Sequence, residues 1–203
     1  MEPAASRDVE SSQPPKLFPV FLKLRGRAVA LIGGGRVAAA KLPALLQTGA
    51  RVTVIAPKVG PELRRPGVEV KEREFAPEDL EGVWLAVAAA PAEVNRRVAA
   101  AAEERRIFVN AVDDPASGSA YTGGVFRRFG ATIAISTEGQ APALAGLLRE
   151  GLESVIPEDL ERWMTEARAL RQRQRVEGVP MGRRRPILLA ALNRLYAEKE
   201  QTP

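Results

Sequence analysis

The chain has 203 residues, 45% of them apolar and 27% charged, enough for one ordinary domain with a smaller satellite. It contains no cysteine and no histidine, which excludes disulfides, thiolate or imidazole catalysis, and metal centres built on those residues. The net charge of +5 is uneven: residues 1–160 carry 20 basic and 20 acidic side chains, and residues 161–203 carry 10 and 5, so the basic end is either a solvated helix face or a contact for a polyanion.

Residues 1–16 read as a disordered leader, polar and without the apolar core of a signal peptide. No apolar run reaches the ~18 residues that span a membrane, and the expectation is a soluble cytoplasmic protein. Order begins at Leu17-Phe18-Pro19-Val20-Phe21-Leu22. Ala28–Ile32 is a continuous apolar run stopped by glycines, the pattern of a strand buried on both faces. A helix follows from about Val37 to Thr48, with Pro43 as a blemish and Gly49 as its C-terminal stop. Arg51–Ala56 is a second strand, so residues 28–56 make a strand–helix–strand unit.

Val68–Arg73 alternates like an exposed or edge strand. Trp84–Ala89 and Ile107–Val112 are further buried strands, separated by a helix over Ala92–Arg105. The alternation predicts an α/β fold, a Rossmann-type parallel sheet over residues 17–113. After it, 117–124 reads as loop and Thr132–Ser136 as a short strand. Pro142–Ser154 is a helix with Leu144, Leu147, Leu148 and Leu152 on one face. Glu158–Val176 and Arg184–Glu200 are two more helices around a loop marked by Gly178, Pro180 and Gly182. Residues 114–150 are therefore set apart as a small segment, and 151–203 as a helical C-terminal module.

Three segments carry chemistry. Gly33-x-Gly35-x-x-Ala38 lies between a strand and a helix, the context of a dinucleotide site. Gly33 permits the tight turn, Gly35 lets a pyrophosphate approach the backbone, and Ala38 lets the helix pack on the strand. The acidic residue that commonly closes the second strand is missing; the chain reads Ile55-Ala56-Pro57-Lys58. Lys58 is either a surface lysine or a contact for a 2′-phosphate, so NAD and NADP are not separated at that position. Asn110-Ala111-Val112-Asp113-Asp114-Pro115 ends a strand where α/β sheets bind ligands, and Asp113 is a candidate acid or base or else a turn residue. Ser136-Thr137-Glu138-Gly139-Gln140-Ala141-Pro142 enters a helix, where its hydroxyls and amides suit either an anion or ordinary capping.

Together these segments resemble the siroheme synthase dehydrogenase family, precorrin-2 dehydrogenase and in some members also sirohydrochlorin ferrochelatase. The resemblance runs over about residues 17–160: the Leu17–Leu22 opening, Gly33–Ala38 with Lys41, Gly49–Val54, Trp84–Ala89 with Val94-Asn95, Phe108–Asp113, and Ser136-Thr137-x-Gly139-x-x-Pro142 running into Leu147–Glu150. It implies NAD-dependent oxidation of precorrin-2 to sirohydrochlorin. Asp113 matches the family's key aspartate and Thr137 its substrate-site hydroxyl. Asn110, Ser136 and Gly139 are further implied substrate contacts. Gly33, Gly34, Gly35, Arg36, Val37, Ala38, Pro57, Lys58 and Ala89 are implied cofactor contacts.

The resemblance also implies a homodimer formed through the central segment, a tetrapyrrole substrate, no resident metal, and ferrous iron as a second substrate if the chain is also a chelatase. The stretch Ser119-Ala120-Tyr121-Thr122-Gly123-Gly124 departs from the family's apolar-x-x-Pro pattern, and the sequence ends at Pro203, so uroporphyrinogen methylation is expected in another polypeptide. Two other readings remain: a NAD-sensing Rossmann regulator whose basic tail contacts nucleic acid, and a chelatase or tetrapyrrole carrier without dehydrogenase activity. Against the regulator, residues 1–16 are too short and polar for a helix-turn-helix.

Overall fold

The computed structural model describes residues 16–200, so the expected leader, apart from Lys16, lies outside the described residues. The chain divides into two compact units, one ending at Ala120 and one beginning at Tyr121. Residues 114–120, expected in the next segment, are tied to the first unit. The amides of Ser119 and Ala120 both donate to the Val109 carbonyl, and the Val109 amide donates to Ser119 Oγ.

The first unit is a five-stranded parallel sheet with two helices. Its strands are β1 (Ala28–Ile32), β2 (Arg51–Ile55), β3 (Val68–Lys71), β4 (Val83–Ala88) and β5 (Phe108–Ala111), in the spatial order β3-β2-β1-β4-β5. The strand order reverses between β1 and β4, and ligands of open α/β sheets bind at such a switch point, beyond the carboxyl ends of the strands. The apolar runs bury both faces because successive side chains alternate across the sheet. Val29 and Leu31 join Val52, Val54, Leu85 and Val87 under α1 (Arg36–Gln47). Ala30 and Ile32 join Ala86, Ala88 and Val109 under α2 (Ala92–Glu104).

Helix α1 runs through Pro43 without stopping. The missing amide bond is offset by Leu42 and Leu45, which flank the proline and are buried in the core. Strand β3 is the sheet edge, as its alternation predicts.

Asp79 braces this edge from below. Its carboxylate, with only 2% of the side chain exposed, meets Arg73 and Lys71 and accepts from the Ala76 amide at 3.0 Å. Burial alone would raise its pKa, but the hydrogen bonds from Arg73 and Ala76 and the charges of Arg73 and Lys71 outweigh it and hold the carboxyl below its ordinary value. Because both cations are part-exposed, Asp79→Ala is expected to cost only about 2 kcal/mol at neutral pH. The lowered folded-state pKa sets the sign: the contribution is complete above the unfolded aspartate value of about 3.9 and is lost as pH falls through the lowered value. Denaturant unfolding of both proteins from pH 7 to pH 2 checks this; a gap that stays constant down to pH 2 contradicts it.

The second unit holds β6 (Gly124–Arg128) and β7 (Ala131–Ile135), an antiparallel hairpin, followed by α3 (Pro142–Val155), α4 (Leu160–Val176) and α5 (Met181–Glu200). The expectation left β6 unassigned. Its hairpin turn is Phe129-Gly130, both at positive φ (50° and 86°), the conformation of a two-residue primed turn without the usual Asn-Gly signal. The glycines of the divergent 119–124 stretch have a packing role. A side chain at Gly123 would run into the Ile135 carbonyl, and one at Gly124 would lie 2.9 Å from the Ala145 carbonyl of α3. The leucines of α3 fall on one face, but Leu144, Leu147, Leu148 and Leu152 are exposed within the chain.

Candidate functional site

The residues expected at the cofactor converge around the turn after β1. Gly33 sits at φ +131°, a conformation that side chains rarely adopt, and its amide donates to the Ile55 carbonyl at 2.9 Å. A side chain at Gly33 would enter the Ala89 carbonyl, and one at Gly34 would enter the Lys58 carbonyl. Those two main-chain groups, from the segments after β4 and β2, therefore wall the turn directly. Gly60 closes it, its amide donating to the Gly34 carbonyl at 2.9 Å.

Gly35 differs from its neighbours. It is the N-cap of α1 with extended backbone, and a Cβ there would meet nothing within 4 Å. The protein leaves that space open. No side chain caps α1, and the first bond back to the turn is from the Ala39 amide to the Gly35 carbonyl at 3.0 Å. The amides of Arg36, Val37 and Ala38 thus lack intrahelical acceptors and face outward at the positive end of the helix. A pyrophosphate fits this cradle: open space at Gly35, unused donors and no competing side-chain cap. Ala38 is fully buried beneath, while Arg36, Val37, Pro57 and Lys58 are exposed around the rim.

At the end of β5, next but one to β1, the Val112 amide bonds to the Ala88 carbonyl and Asp113 follows at φ +60°. Aspartate tolerates this left-handed conformation better than most residues, and such positions cluster at functional sites. The two adjacent carboxylates separate cleanly. Asp114 accepts from Ser117 Oγ at 2.7 Å and stabilises the turn. The exposed Asp113 carboxylate has no hydrogen-bond or ion-pair partner among the described residues.

Asn95, on α2 and 2% exposed, holds the two strand ends together. Its Oδ1 accepts from the Ala90 amide at 3.0 Å and its Nδ2 donates to the Val112 carbonyl at 3.4 Å. Sequence reasoning gave it no role; an asparagine on the buried face of an Ala-rich helix was the available signal. Asn110 is also buried, with Nδ2 donating to the Ala120 carbonyl at 3.0 Å, so that donor ties β5 to the segment that follows.

Ser136, Thr137 and Gly139 lie in the second unit, where they line a cavity of about 270 Å³ with Tyr121, Thr122 and Pro142. The turn is sharp: Glu138 and Gly139 both have positive φ. Ser136 Oγ accepts from the Glu138 amide at 3.1 Å, and Thr137 Oγ1 accepts from the Ala141 amide at 3.3 Å beside the start of α3. Neither hydroxyl caps α3, which has no side-chain cap; both bonds close the turn that precedes it, and both hydroxyls retain a proton to donate into the cavity.

Among the described residues no helix is long and apolar enough to cross a membrane, and no group of three or more acidic side chains is placed to hold a metal ion.

The family described as putative NAD(P)-binding matches residues 20–124, and that described as sirohaem biosynthesis protein central matches residues 132–154. The chain is 42% identical over 173 residues to siroheme synthase 3 of Aeromonas hydrophila, an alignment covering 83% of this chain and 37% of that protein. It is 44% identical over 147 residues to the siroheme synthase of Chromobacterium violaceum, covering 70% of this chain and 31% of the relative. The chain thus spans about a third of the length of these curated relatives. Among solved structures it is similar to SirC, precorrin-2 dehydrogenase, with a TM-score of 0.66 and 27% identity over 86% of this chain and 88% of that one. With more than half of its length matched and the glycine cradle in the matching segment, the chain belongs to the family described as putative NAD(P)-binding.

Proposed function

We propose that the chain is an NAD-dependent precorrin-2 dehydrogenase of siroheme biosynthesis. The observation that carries this reading is the open cradle at Gly35 beside an unpartnered carboxylate, Asp113, at the next strand end but one. The likeness to siroheme synthases and to SirC supports it.

When bound, NAD accepts the hydride, which is the redox chemistry the side chains lack. Gly33, Gly34 and Gly35 with the amides of Arg36, Val37 and Ala38 hold the pyrophosphate; Pro57, Lys58 and Ala89 border the dinucleotide. Oxidation of precorrin-2 to sirohydrochlorin removes a hydride and a proton, and Asp113 takes the proton from the ring. A carboxylate suffices as base, so the absence of histidine is no obstacle. Ser136, Thr137 and Gly139 contribute substrate contacts, and Asn110 shapes the loop after β5. The tetrapyrrole carries many carboxylates, which the arginines of this basic chain suit.

Two further elements belong to the proposal. The exposed apolar face of α3 (Leu144, Leu147, Leu148, Leu152) is what a second copy of the chain would cover in a homodimer. Ferrous iron is a second substrate only if sirohydrochlorin is then metallated.

The test is anaerobic addition of NAD to the full chain with precorrin-2 generated in situ. NADH and sirohydrochlorin should appear in equal amounts. Absence of both, with the substrate shown to be present and the protein folded, refutes dehydrogenase activity and leaves the carrier or regulatory readings.

A further inference from the structure

In a dinucleotide fold the carboxylate at the end of the second strand accepts hydrogen bonds from the adenosine ribose hydroxyls. Here β2 ends Ile55-Ala56-Pro57-Lys58, and Ala56 is buried. The carboxylates of β3 and the residue after it do not replace it. Glu69 accepts from Thr53 Oγ1 at 3.0 Å. Glu72 is bound by Arg64 at 2.7 Å and by the Val59 amide at 3.4 Å. The Arg64 hydrogen bond, then the Val59 amide, then the Arg64 charge hold Glu72 below the usual carboxylate range.

Glu62 is different. It lies in a short 3-10 turn, Pro61–Leu63, anchored by the fully buried Leu63. Its side chain folds back over Gly60: Oε2 lies 3.0 Å from where a Cβ on Gly60 would stand, and that same point is 3.2 Å from the Gly34 carbonyl. The carboxylate is thus brought to the rim of the glycine cradle, on the β2 side. Among the described residues it has no ion-pair or hydrogen-bond partner. Lys58, whose carbonyl walls Gly34, is likewise without an ion pair. A carboxylate without a partner therefore stands at the corner that the ribose would enter, and Lys58, whose main chain walls that corner, carries the nearest cation in the segment after β2.

We propose that Glu62 is the ribose acceptor that β2 lacks, and that it sets a preference for NAD over NADP. This rests on the dinucleotide site proposed above. A carboxylate accepts both hydroxyl protons of a free ribose and repels a 2′-phosphate. With Glu62 removed, Lys58 is left to attract that phosphate, so the selectivity falls.

Isothermal titration of the full chain with NAD and with NADP tests this without any turnover. The native chain should bind NAD more tightly. In Glu62→Ala the ratio of the NADP to the NAD dissociation constant should fall about tenfold, the scale of a hydrogen bond to a charged group. Glu62→Gln keeps the size and removes the charge, so it should lower the ratio in the same direction. Adding Lys58→Ala to Glu62→Ala should raise the ratio again. A native chain that binds both dinucleotides equally, or a ratio that falls less than threefold in Glu62→Ala, overturns the assignment of Glu62 while the dinucleotide site stands. Binding of neither dinucleotide by the native chain overturns both.

Discussion

Gly35→Asp is expected to abolish dinucleotide binding without loss of fold stability. A Cβ at Gly35 meets nothing within 4 Å, and the backbone there is extended, so no strain opposes a side chain. The position is also the N-cap of a helix that has no side-chain cap. Aspartate is among the best N-cap residues, so the variant should unfold at the same denaturant concentration or slightly higher, by a few tenths of a kcal/mol. The same carboxylate would occupy the space and the amides of a pyrophosphate and repel its charge. The dissociation constant should rise ~100-fold or more, about 2.7 kcal/mol. Calorimetric titration with NAD beside a chemical unfolding curve gives both quantities. Undiminished affinity would remove the pyrophosphate from this turn.

The second large effect is expected at Asp113. Because the residue sits at φ +60°, alanine would add backbone strain, and Asp113→Asn is the cleaner variant since asparagine tolerates the left-handed region. Loss of a general base lowers turnover by ~100-fold to 10,000-fold. The carboxylate has no partner among the described residues, so the fold should not register the change. Single-turnover NADH formation from precorrin-2, set against NAD affinity from titration, separates the two effects. Retained turnover would clear Asp113 of proton transfer; a parallel loss of NAD affinity would make it a cofactor-site residue.

Much of the first unit was legible because parallel strands buried on both faces leave an unambiguous trace: uninterrupted apolar runs ended by glycine or proline. The same trace located Gly33–Ala38 between β1 and α1. What could not be read was non-local. Glu62 follows β2 in the chain by several residues, and nothing in its neighbours signals that its side chain folds back to the glycine turn. Asn95 looked like one polar residue in an alanine helix until its two backbone partners came from the ends of separate strands. Strand β6 was missed because Phe-Gly makes the turn and paired arginines end the strand, so neither composition nor turn chemistry marked it. In the second unit the leucine face of α3 was correctly periodic, but periodicity does not say whether a face is covered by its own chain or by another molecule.

The walls of the glycine turn are carbonyl groups, those of Ala89 and Lys58, rather than side chains. This decides which kinds of evolutionary change the cradle tolerates. Drift in residue identity at positions 58 and 89 leaves its shape intact, because every amino acid brings the same carbonyl. Changes in loop length do not: a residue gained or lost between Ile55 and Lys58 would displace both the Lys58 wall and the Gly60 clasp at once. The shape of the site is thus held by spacing as much as by its glycines, and the rim chemistry at 58 and 62 can be retuned only while the number of residues between them and β2 stays fixed.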